Sequence, residues 1–471
     1  MIFSILFLHV LPYNNTPRLF IQEEFMKKTN LCLVFFAVLV LLAGPVGLVS
    51  AGGGGQASTS SKPVEIRYMG TETVGGPINT LFLAMLDEFH KANPSIKVQA
   101  DLLPSADLRT KITVEMAAGN PPEISCCISS YASEFMRDNK IEDWRPIIAA
   151  NPEFNQWYDK KNIDNLTYKD GRIMTMPTEA SIDGFYYNTE IFKKYGWQPP
   201  KTYADLLDLT KKAQVAGINL MVTGGRDIRF AWLASAFMAR TAGLKKTDAL
   251  TIGNAMDQWD NPQYGFVLAM TKFKELVDAG LFPKGVLGMN TNEADQAFAR
   301  GEAAMYYEGA WKGANFETAG GKAFIDKLER IDWPAFPDCP DGDPSLRVGG
   351  NIWGLMIPTG LNAGQKDAVI RFAKAYCNPT YNAKLMETGS RVFAGKCNYD
   401  RTKTMKIFNQ CVDAYLTAPK YMLSMDSYAV PSVDLAIKQT AMPGIVSGQF
   451  TVAQAVAEVN KAAKDYLASK K

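Results

Sequence analysis

The sequence predicts an α/β protein built on mainly parallel sheet flanked by helices. The chain has 471 residues, 47% of them hydrophobic, which is ample for two lobes with cores of their own. Over residues 64–102 the apolar positions alternate, then fall at helical spacing, then alternate again. That is a βαβ unit, and parallel strands joined through a helix imply a sheet covered by helices. Strand-like and helix-like stretches continue to exchange along the rest of the chain.

Bulk properties remove several functions. A formal net charge of +2 gives no footing for nucleic acid or an anionic membrane surface as partner. The two histidines are His9 and His90. They exclude a multi-histidine metal centre and leave any Ser-His-Asp triad resting on His90. No metal or cofactor is expected.

Met26-Lys27-Lys28, the apolar run over 31–49 and the small residues Val49-Ser50-Ala51 read as a cleaved export signal. Met26 is then the start, and residues 1–25 are an upstream extension, so 1–51 lies outside the fold. The run is long enough to span a membrane, but Gly44, Pro45 and Gly47 favour cleavage. Gly52 stands where a lipoprotein needs cysteine, so lipid anchoring is disfavoured and the protein is expected to be periplasmic or extracellular. Residues 52–62, GGGGQASTSSK, are a flexible linker. Six cysteines remain: Cys126, Cys127, Cys339, Cys377, Cys397 and Cys411. Export permits disulfides, and closeness favours Cys397 with Cys411. Free buried thiols are the alternative.

The elements follow in order. Val64, Ile66 and Tyr68 alternate with polar residues as a first strand. Residues 70–76 are a polar loop containing Glu72. Ile78, Leu81, Phe82, Met85, Leu86 and Phe89 share one helix face, and Asn93-Pro94 ends that helix. A second strand over 96–102 and a helix over about 108–118, stopped by Gly119, lead to a buried strand over 124–128. Its exit, Ser129-Ser130-Tyr131, lies at a strand's carboxyl end, where open α/β sheets gather ligands. A short apolar run closed by Pro177 precedes the polar patch Thr178, Glu179, Ser181 and Asp183. Phe185-Tyr186-Tyr187 is strand-like and ends at Asn188, and the amphipathic turn of Ile191, Phe192 and Tyr195 stops at Gly196. Pro199-Pro200 cannot continue a helix. Thr202 with Asp205 forms a capping box for the next one.

Residues 218–222 read as a strand, 223–227 as a tight polar loop with Arg226 and Asp227, and Phe230, Trp232 and Phe237 as a helix. Gly224-Gly225 before a helix lacks the GxxxxGK[ST] pattern of a phosphate loop. Phe266, Met270, Phe273 and Val277 make an amphipathic helix. Gly301, a strand over 303–307, Gly309 and Trp311 follow, and Lys312 beside Trp311 suits an exposed strand end. Asp338, Asp341 and Asp343 lack EF-hand spacing and read as a solvated loop. Helices are expected at about 364–378 and 380–388, with Ser390-Arg391 beyond them. Val452, Ala455, Val456, Val459, Ala462 and Tyr466 form the core stripe of a last helix.

Several of these stretches, in this order, resemble family 1 of the extracellular solute-binding proteins, the maltose-binding-protein-like receptors of ABC importers. They are LDEFHKANPSIKV, AAGNPPEIS, MPTEASIDGFYYNTEIFKKYGWQPPKTYADLL, AFARGEAAMYYEGAW, VGGNIWGLMIP and VSGQFTVAQAVAEVNKAAKDY. Glu123 stands where the family usually has Asp. The resemblance implies a two-lobed periplasmic-binding-protein fold of type II with three hinge crossings. Lobe 1 would be 63–183 and 351–417, and lobe 2 would be 184–350 and 418–471. It implies a monomeric, non-enzymatic receptor that closes on a carbohydrate and delivers it to membrane permease subunits. By family position, Glu72, Glu179 and Asp183 would accept sugar hydroxyls, Trp232, Trp311 and Trp353 would stack on the ring, and Arg226, Asp227 and Arg391 would donate or orient. Aromatic rings cover the C–H faces of a sugar, and hydrogen bonds from its hydroxyls to charged groups contribute about 1.5–3 kcal/mol each. Two alternatives stand. Arg226 and Arg391 admit a glycerol phosphate or polyol ligand, and Glu179 with Asp183 could serve a secreted carbohydrate-active enzyme as acid and base.

Overall fold

The computed structural model describes residues 63–470 apart from Gly75, Asn165 and Ile228. The upstream extension, export signal and linker expected over 1–62 lie outside the described residues. Among the described residues eleven strands form two sheets. The strands are β1 (Val64–Gly70), β2 (Ile96–Leu102), β3 (Ile124–Ile128), β4 (Met176–Ile182), β5 (Gly184–Asn188), β6 (Asn219–Val222), β7 (Ala303–Glu308), β8 (Leu328–Ile331), β9 (Leu346–Met356), β10 (Val392–Phe393) and β11 (Lys420–Met422). The first sheet has the order β10-β4-β9-β3-β1-β2, with β11 pairing the start of β9, and the second has β6-β7-β5-β8.

The βαβ unit is present. β1 and β2 pair in parallel from Val64↔Ile96 to Gly70↔Leu102, joined by the helix Pro77–Ala92, which buries Phe82, Met85, Leu86 and Phe89. The sheets are mixed rather than mainly parallel. β9 runs antiparallel to both β3 and β4, and β5 runs antiparallel to β7 and β8. The cause lies in the strands that pass between sheets. A strand leaving one sheet for the other comes back through a second, and the two lie side by side in opposite directions.

The polar patch before the aromatic strand is itself a strand. Thr178, Glu179 and Ser181 belong to β4, whose pairing with β9 is irregular between Pro177 and Ala180. One residue, Asp183, separates β4 in the first sheet from β5 in the second. Its N–H donates to the Val348 carbonyl at 3.0 Å. β9 makes the return passage, pairing β11 through Leu346–Val348 and β4 from Gly349 onward. Gly349 and Gly350 sit there at φ +136° and +106°. A third passage joins the helix Lys406–Thr417 to β11.

Two cores result. One surrounds the first sheet, with Tyr68, Phe82, Trp144, Phe154, Phe372 and Tyr376. The other packs Phe230, Phe237, Trp259, Phe266 and Phe273 beside the second. Each such side chain contributes about 1.5–3 kcal/mol by leaving water. The helix Phe230–Thr241 is buried on all sides because Ala231, Ala234, Ala236 and Ala239 let neighbours approach its back. In the last helix, Val452–Ala468, the buried stripe uses Ala463 rather than the expected Ala462.

The expected Cys397–Cys411 disulfide is not formed, and all six described cysteines are free thiols. Cys411 is buried against the Tyr186 hydroxyl at 3.2 Å, while Cys397 lies 3.3 Å from the Met386 sulfur. Closeness in sequence did not bring the two sulfurs to one place. Asp338 and Asp341 of the acidic loop pair Lys272 and Lys246 at 2.6 and 2.7 Å. Among the described residues no helix is long and apolar enough to cross a membrane.

Candidate functional site

Three groups of polar and aromatic side chains take in most of the residues singled out from sequence. The first is built on the first sheet. Glu72, 1% exposed in the loop after β1, accepts from Tyr68 Oη at 2.9 Å through Oε2 and from Tyr376 Oη through Oε1. Arg391 Nη1 donates to Glu72 Oε1 at 3.2 Å and to Tyr376 Oη at 2.9 Å. Arg391 Nε lies 3.3 Å from Glu179 Oε2, because β10 pairs Phe393 with Glu179 and thereby sets Arg391 against β4. Burial raises the Glu179 carboxyl above its usual value, with Arg391 opposing and Glu72 adding to the rise.

The second group joins β9 to the helices Ser105–Ala118 and Met425–Tyr428. Trp353, opposite Glu179 on β9, is half-buried, and the Arg109 guanidinium lies 5.6 Å from its ring centroid. Arg109 Nη2 donates to Asp426 Oδ2 at 3.1 Å, and Ser424 Oγ donates to Asp426 Oδ1 at 2.5 Å. Burial alone would raise Asp426, but Arg109 and Ser424 hold it below the usual carboxylate range. Eight residues after Asp426, on the next helix, Asp434 forms a buried ion pair with Lys438 at 2.5 Å. Burial lifts Asp434 to about 6 against the pull of Lys438.

The third group belongs to the hinge and the second sheet. Asp183, 6% exposed, takes one hydrogen bond from Ser181 Oγ at 3.1 Å, and its Oδ2 finds no partner among the described residues. Burial and the neighbouring Glu308 raise it to about 8. Glu308, fully buried at the end of β7, is 3.1 Å from Arg229 Nε. Arg229 also covers the Trp232 ring at 4.2 Å, and Trp232 meets Trp311 edge-on with centroids 5.0 Å apart. Trp311 is half-buried and closes over Gly309, where a Cβ would stand 2.2 Å from its ring. Lys312 does not mark an exposed strand end. It is 1% exposed and pairs Asp295 at 2.6 Å.

Of the nine residues singled out from sequence, Glu72, Glu179 and Arg391 form one contiguous network, and Trp232 and Trp311 touch. Asp183 and Trp353 take part through their neighbours. Arg226 and Asp227 have their contacts elsewhere. Asp227 Oδ2 accepts from Thr291 N at 2.6 Å, fixing the loop to the start of the helix Thr291–Ala299, and Arg226 is exposed. Sequence reasoning passed over Arg109, Arg229, Glu308, Asp426, Asp434 and Lys438. Two of these carried a signal: Glu308 falls within the AFARGEAAMYYEGAW stretch, and Asp434 with Lys438 has the i,i+4 spacing of a helical ion pair. A cavity of about 260 Å³ adjoins the second group, lined in part by Ser129, Ser130, Tyr168, Tyr428 and Tyr466. A larger one of about 810 Å³ lies at the other end of the second sheet, by Lys194, Arg300 and Lys327, and holds none of these residues.

Two mixed sheets, each with a core of its own and joined by short crossings, define the class of two-lobed solute-binding receptors. The chain belongs to the bacterial extracellular solute-binding protein family, whose profile matches residues 76–383. An uncharacterized ABC transporter extracellular-binding protein of Pyrococcus horikoshii is 25% identical over 289 residues, 58% of this chain and 66% of that protein. The sn-glycerol-3-phosphate-binding periplasmic protein UgpB of Shigella dysenteriae is 24% identical over 271 residues, 54% of this chain and 56% of that one. The match thus spans 56–66% of the length of these curated relatives. Among solved structures, a chitin oligosaccharide binding protein has a TM-score of 0.76 at 21% identity, covering 86% of this chain and 99% of that one. A protein described in work on xylan utilization by Caldanaerobius polysaccharolyticus has a TM-score of 0.75 at 24% identity, covering 84% and 99%. At these identities the likeness speaks for the fold.

Proposed function

We propose that the protein is the exported substrate-binding component of an ABC importer. It captures a sugar or oligosaccharide between lobe 1 (63–183 and 351–417) and lobe 2 (184–350 and 418–471) and presents it unaltered to membrane permease subunits, acting as a monomer outside the cytoplasmic membrane. The observation that supports this reading is a set of buried acceptors and touching rings carried by elements of both sheets. Glu72, Glu179 and Arg391 form one network beside the first sheet, Asp183 lies between β4 and β5, and Trp232 and Trp311 touch beside the second. A ligand that touches both lobes favours their closed arrangement by its differential affinity, the hinge motion for which periplasmic binding proteins are a standard example. Glu72, Glu179 and Asp183 accept hydroxyls, Trp311 with Trp232 and Trp353 covers the C–H faces, and Arg391 with Arg229 orients the acceptors.

A glycerol phosphate ligand is the second reading, favoured by the ligand for which the UgpB relatives are named. Thermal melts against mono- and oligosaccharides and glycerol 3-phosphate test both. A ligand at a hundred times its Kd adds about 2.7 kcal/mol to folded-state stability, a shift of several degrees. Trp311→Ala should abolish that shift while the protein still melts cooperatively. A full shift in the variant would remove Trp311 from the ligand, and turnover of the sugar would replace the receptor reading with an enzymatic one.

A further inference from the structure

We infer that the cavity of about 260 Å³ between the two proposed lobes is a binding site for a small aromatic ring with one polar substituent, phenol being the simplest member of that class. The inference goes beyond the sugar reading and does not depend on it. One wall comes from the first proposed lobe, with Ser133, Tyr168 and Met174, and the other from the second, with Met256, Leu423 and Tyr428. None of the nine residues singled out from sequence lines it. The walls are fixed by the backbone. Tyr168 and Met174 flank a tight turn, in which Tyr168 N–H donates to the Arg172 carbonyl at 2.7 Å and Met174 N–H to the Leu166 carbonyl at 2.9 Å. Tyr428 ends a short helix closed by Ala429 N–H on the Met425 carbonyl at 2.9 Å. Little ordering is left for a ligand to impose.

Most polar side chains that line this cavity are already engaged. Ser129 Oγ donates to the Ser427 carbonyl at 2.9 Å and Ser130 Oγ to the Asp426 carbonyl at 3.2 Å. Thr167 and Thr251 donate to the carbonyls of Ile163 and Thr247 at 3.2 and 2.9 Å. Ser427 Oγ donates to Asp426 Oδ1 at 3.3 Å, and the Tyr466 hydroxyl joins Arg137 to Glu134. With these protons committed, a ring carrying hydroxyls all round would enter with several of them unpaired. What remains toward the space is carbon and sulfur: Met174, Met256, Leu423, Val430 and Pro431, with the rings of Tyr168 and Tyr428. Thioethers favour contact with aromatic rings, and aromatic rings favour one another edge-on. An apolar cavity of about 150 Å³ suffices for benzene, so about 260 Å³ holds a substituted ring and little more. Ser133 and Lys169 line the cavity outside the contacts above, and a single hydroxyl on the ring finds its partner there.

The test is a magnetic-resonance titration of the intact protein, isotope-labelled in its methionine methyl groups, with the two relevant signals assigned from Met174→Leu and Met256→Leu. Phenol should move both signals saturably through its ring current, while methionine signals away from the cavity stay in place. Cyclohexanol, of similar size but not aromatic, should bind at least five-fold more weakly, and glycerol not at all. Met256 lies half-buried in a turn, so Met256→Gln should melt as the wild type does and lose at least five-fold in phenol affinity. Phenol binding should survive Trp311→Ala. No shift at Met174 and Met256 would overturn the inference, and loss of phenol binding in Trp311→Ala would overturn it by moving the ring to the tryptophans. Cyclohexanol binding as tightly as phenol would overturn the aromatic class. The sugar melts above read other residues, so the receptor reading and this one can fail separately.

Discussion

The Asp183 carboxyl lies one residue beyond β4 and one before β5, buried beside Glu308. Its folded value of about 8 lies well above the ordinary aspartate value of 3.8. Between those two values the folded protein holds a proton that the unfolded chain releases, so stability falls as pH rises through that window and levels off above it. Asp183→Asn removes this term. Melting temperatures at pH 4.5 and 8 should show the variant gaining on the wild type at the higher pH and differing little at the lower. Parallel curves would mean that Asp183 is ionised in the folded state. The Glu72–Arg391 pair behaves differently, since both groups are buried and charged and each satisfies the other. Glu72→Gln or Arg391→Gln alone should cost about 3–5 kcal/mol in urea unfolding by stranding its partner. The double variant should cost less than the two single costs combined, and simple additivity would deny the coupling. The individual residues Glu72, Glu179 and Arg391 were legible in the sequence as polar groups after strands or helices. Their mutual contact was not, because Glu72 and Arg391 are 319 positions apart and no local pattern links them. Asp227 shows the converse. The resemblance gave it a ligand role by family position, and no local pattern announced that its carboxylate accepts from Thr291 N.

At the scale of elements, local rules carried most of the structure. The Thr202–Asp205 capping box and the glycine stop at Gly119 are present as expected, and Asn188 turns out to cap the helix Thr189–Tyr195 through Glu190 and Ile191. Periodicity also found β1, β2, β3, β5, β6 and β7 within a residue or two of where they lie. β4 escaped because its alternation is broken by two-sided burial: Thr178, Ser181 and the apolar Ala180 and Ile182 are all buried. Sheet direction escaped for another reason, since pairing depends on which strand returns from the other lobe. β9 makes that return, and Gly349 is where it must come close to β4. A Cβ there would lie 2.2 Å from the Ser181 carbonyl oxygen, at a φ of +136° that side chains rarely adopt. Gly349→Ala should therefore destabilise by roughly 1–3 kcal/mol from backbone strain and more from the clash. Gly360→Ala is the control, at φ +91° with nothing within 4 Å of its Cβ. Equal unfolding midpoints for the two variants would show that the β4–β9 approach is not close in solution.

Side chains join the two proposed lobes at two faces, one where Lys406 and Gln410 of the helix Lys406–Thr417 meet Glu329 of β8, the other at the helix Ser129–Arg137. The helix Ser129–Arg137 reaches across to the other lobe through Ser129 Oγ to the Ser427 carbonyl at 2.9 Å and Ser130 Oγ to the Asp426 carbonyl at 3.2 Å. Arg137 donates to the Tyr466 hydroxyl at 3.2 Å, which donates on to Glu134 at 3.3 Å, and Arg109 pairs Asp426. Neutral hydrogen bonds of this kind contribute about 0.5–1.5 kcal/mol each, and exposed charged ones less. Their sum is of the same order as the free energy that moves a two-state equilibrium between mostly open and mostly closed. Combining Ser130→Ala with Tyr466→Phe removes two side-chain donors of this set without touching the residues assigned to the ligand. In the ligand-free protein, small-angle scattering should then show a larger radius of gyration than the wild type. Saturating sugar should return it to the wild-type liganded value, and affinity should fall several-fold through faster release, since the ligand must supply the closing energy that the latch no longer provides. An unchanged radius together with unchanged release would show that the hinge crossings alone set the angle between the lobes.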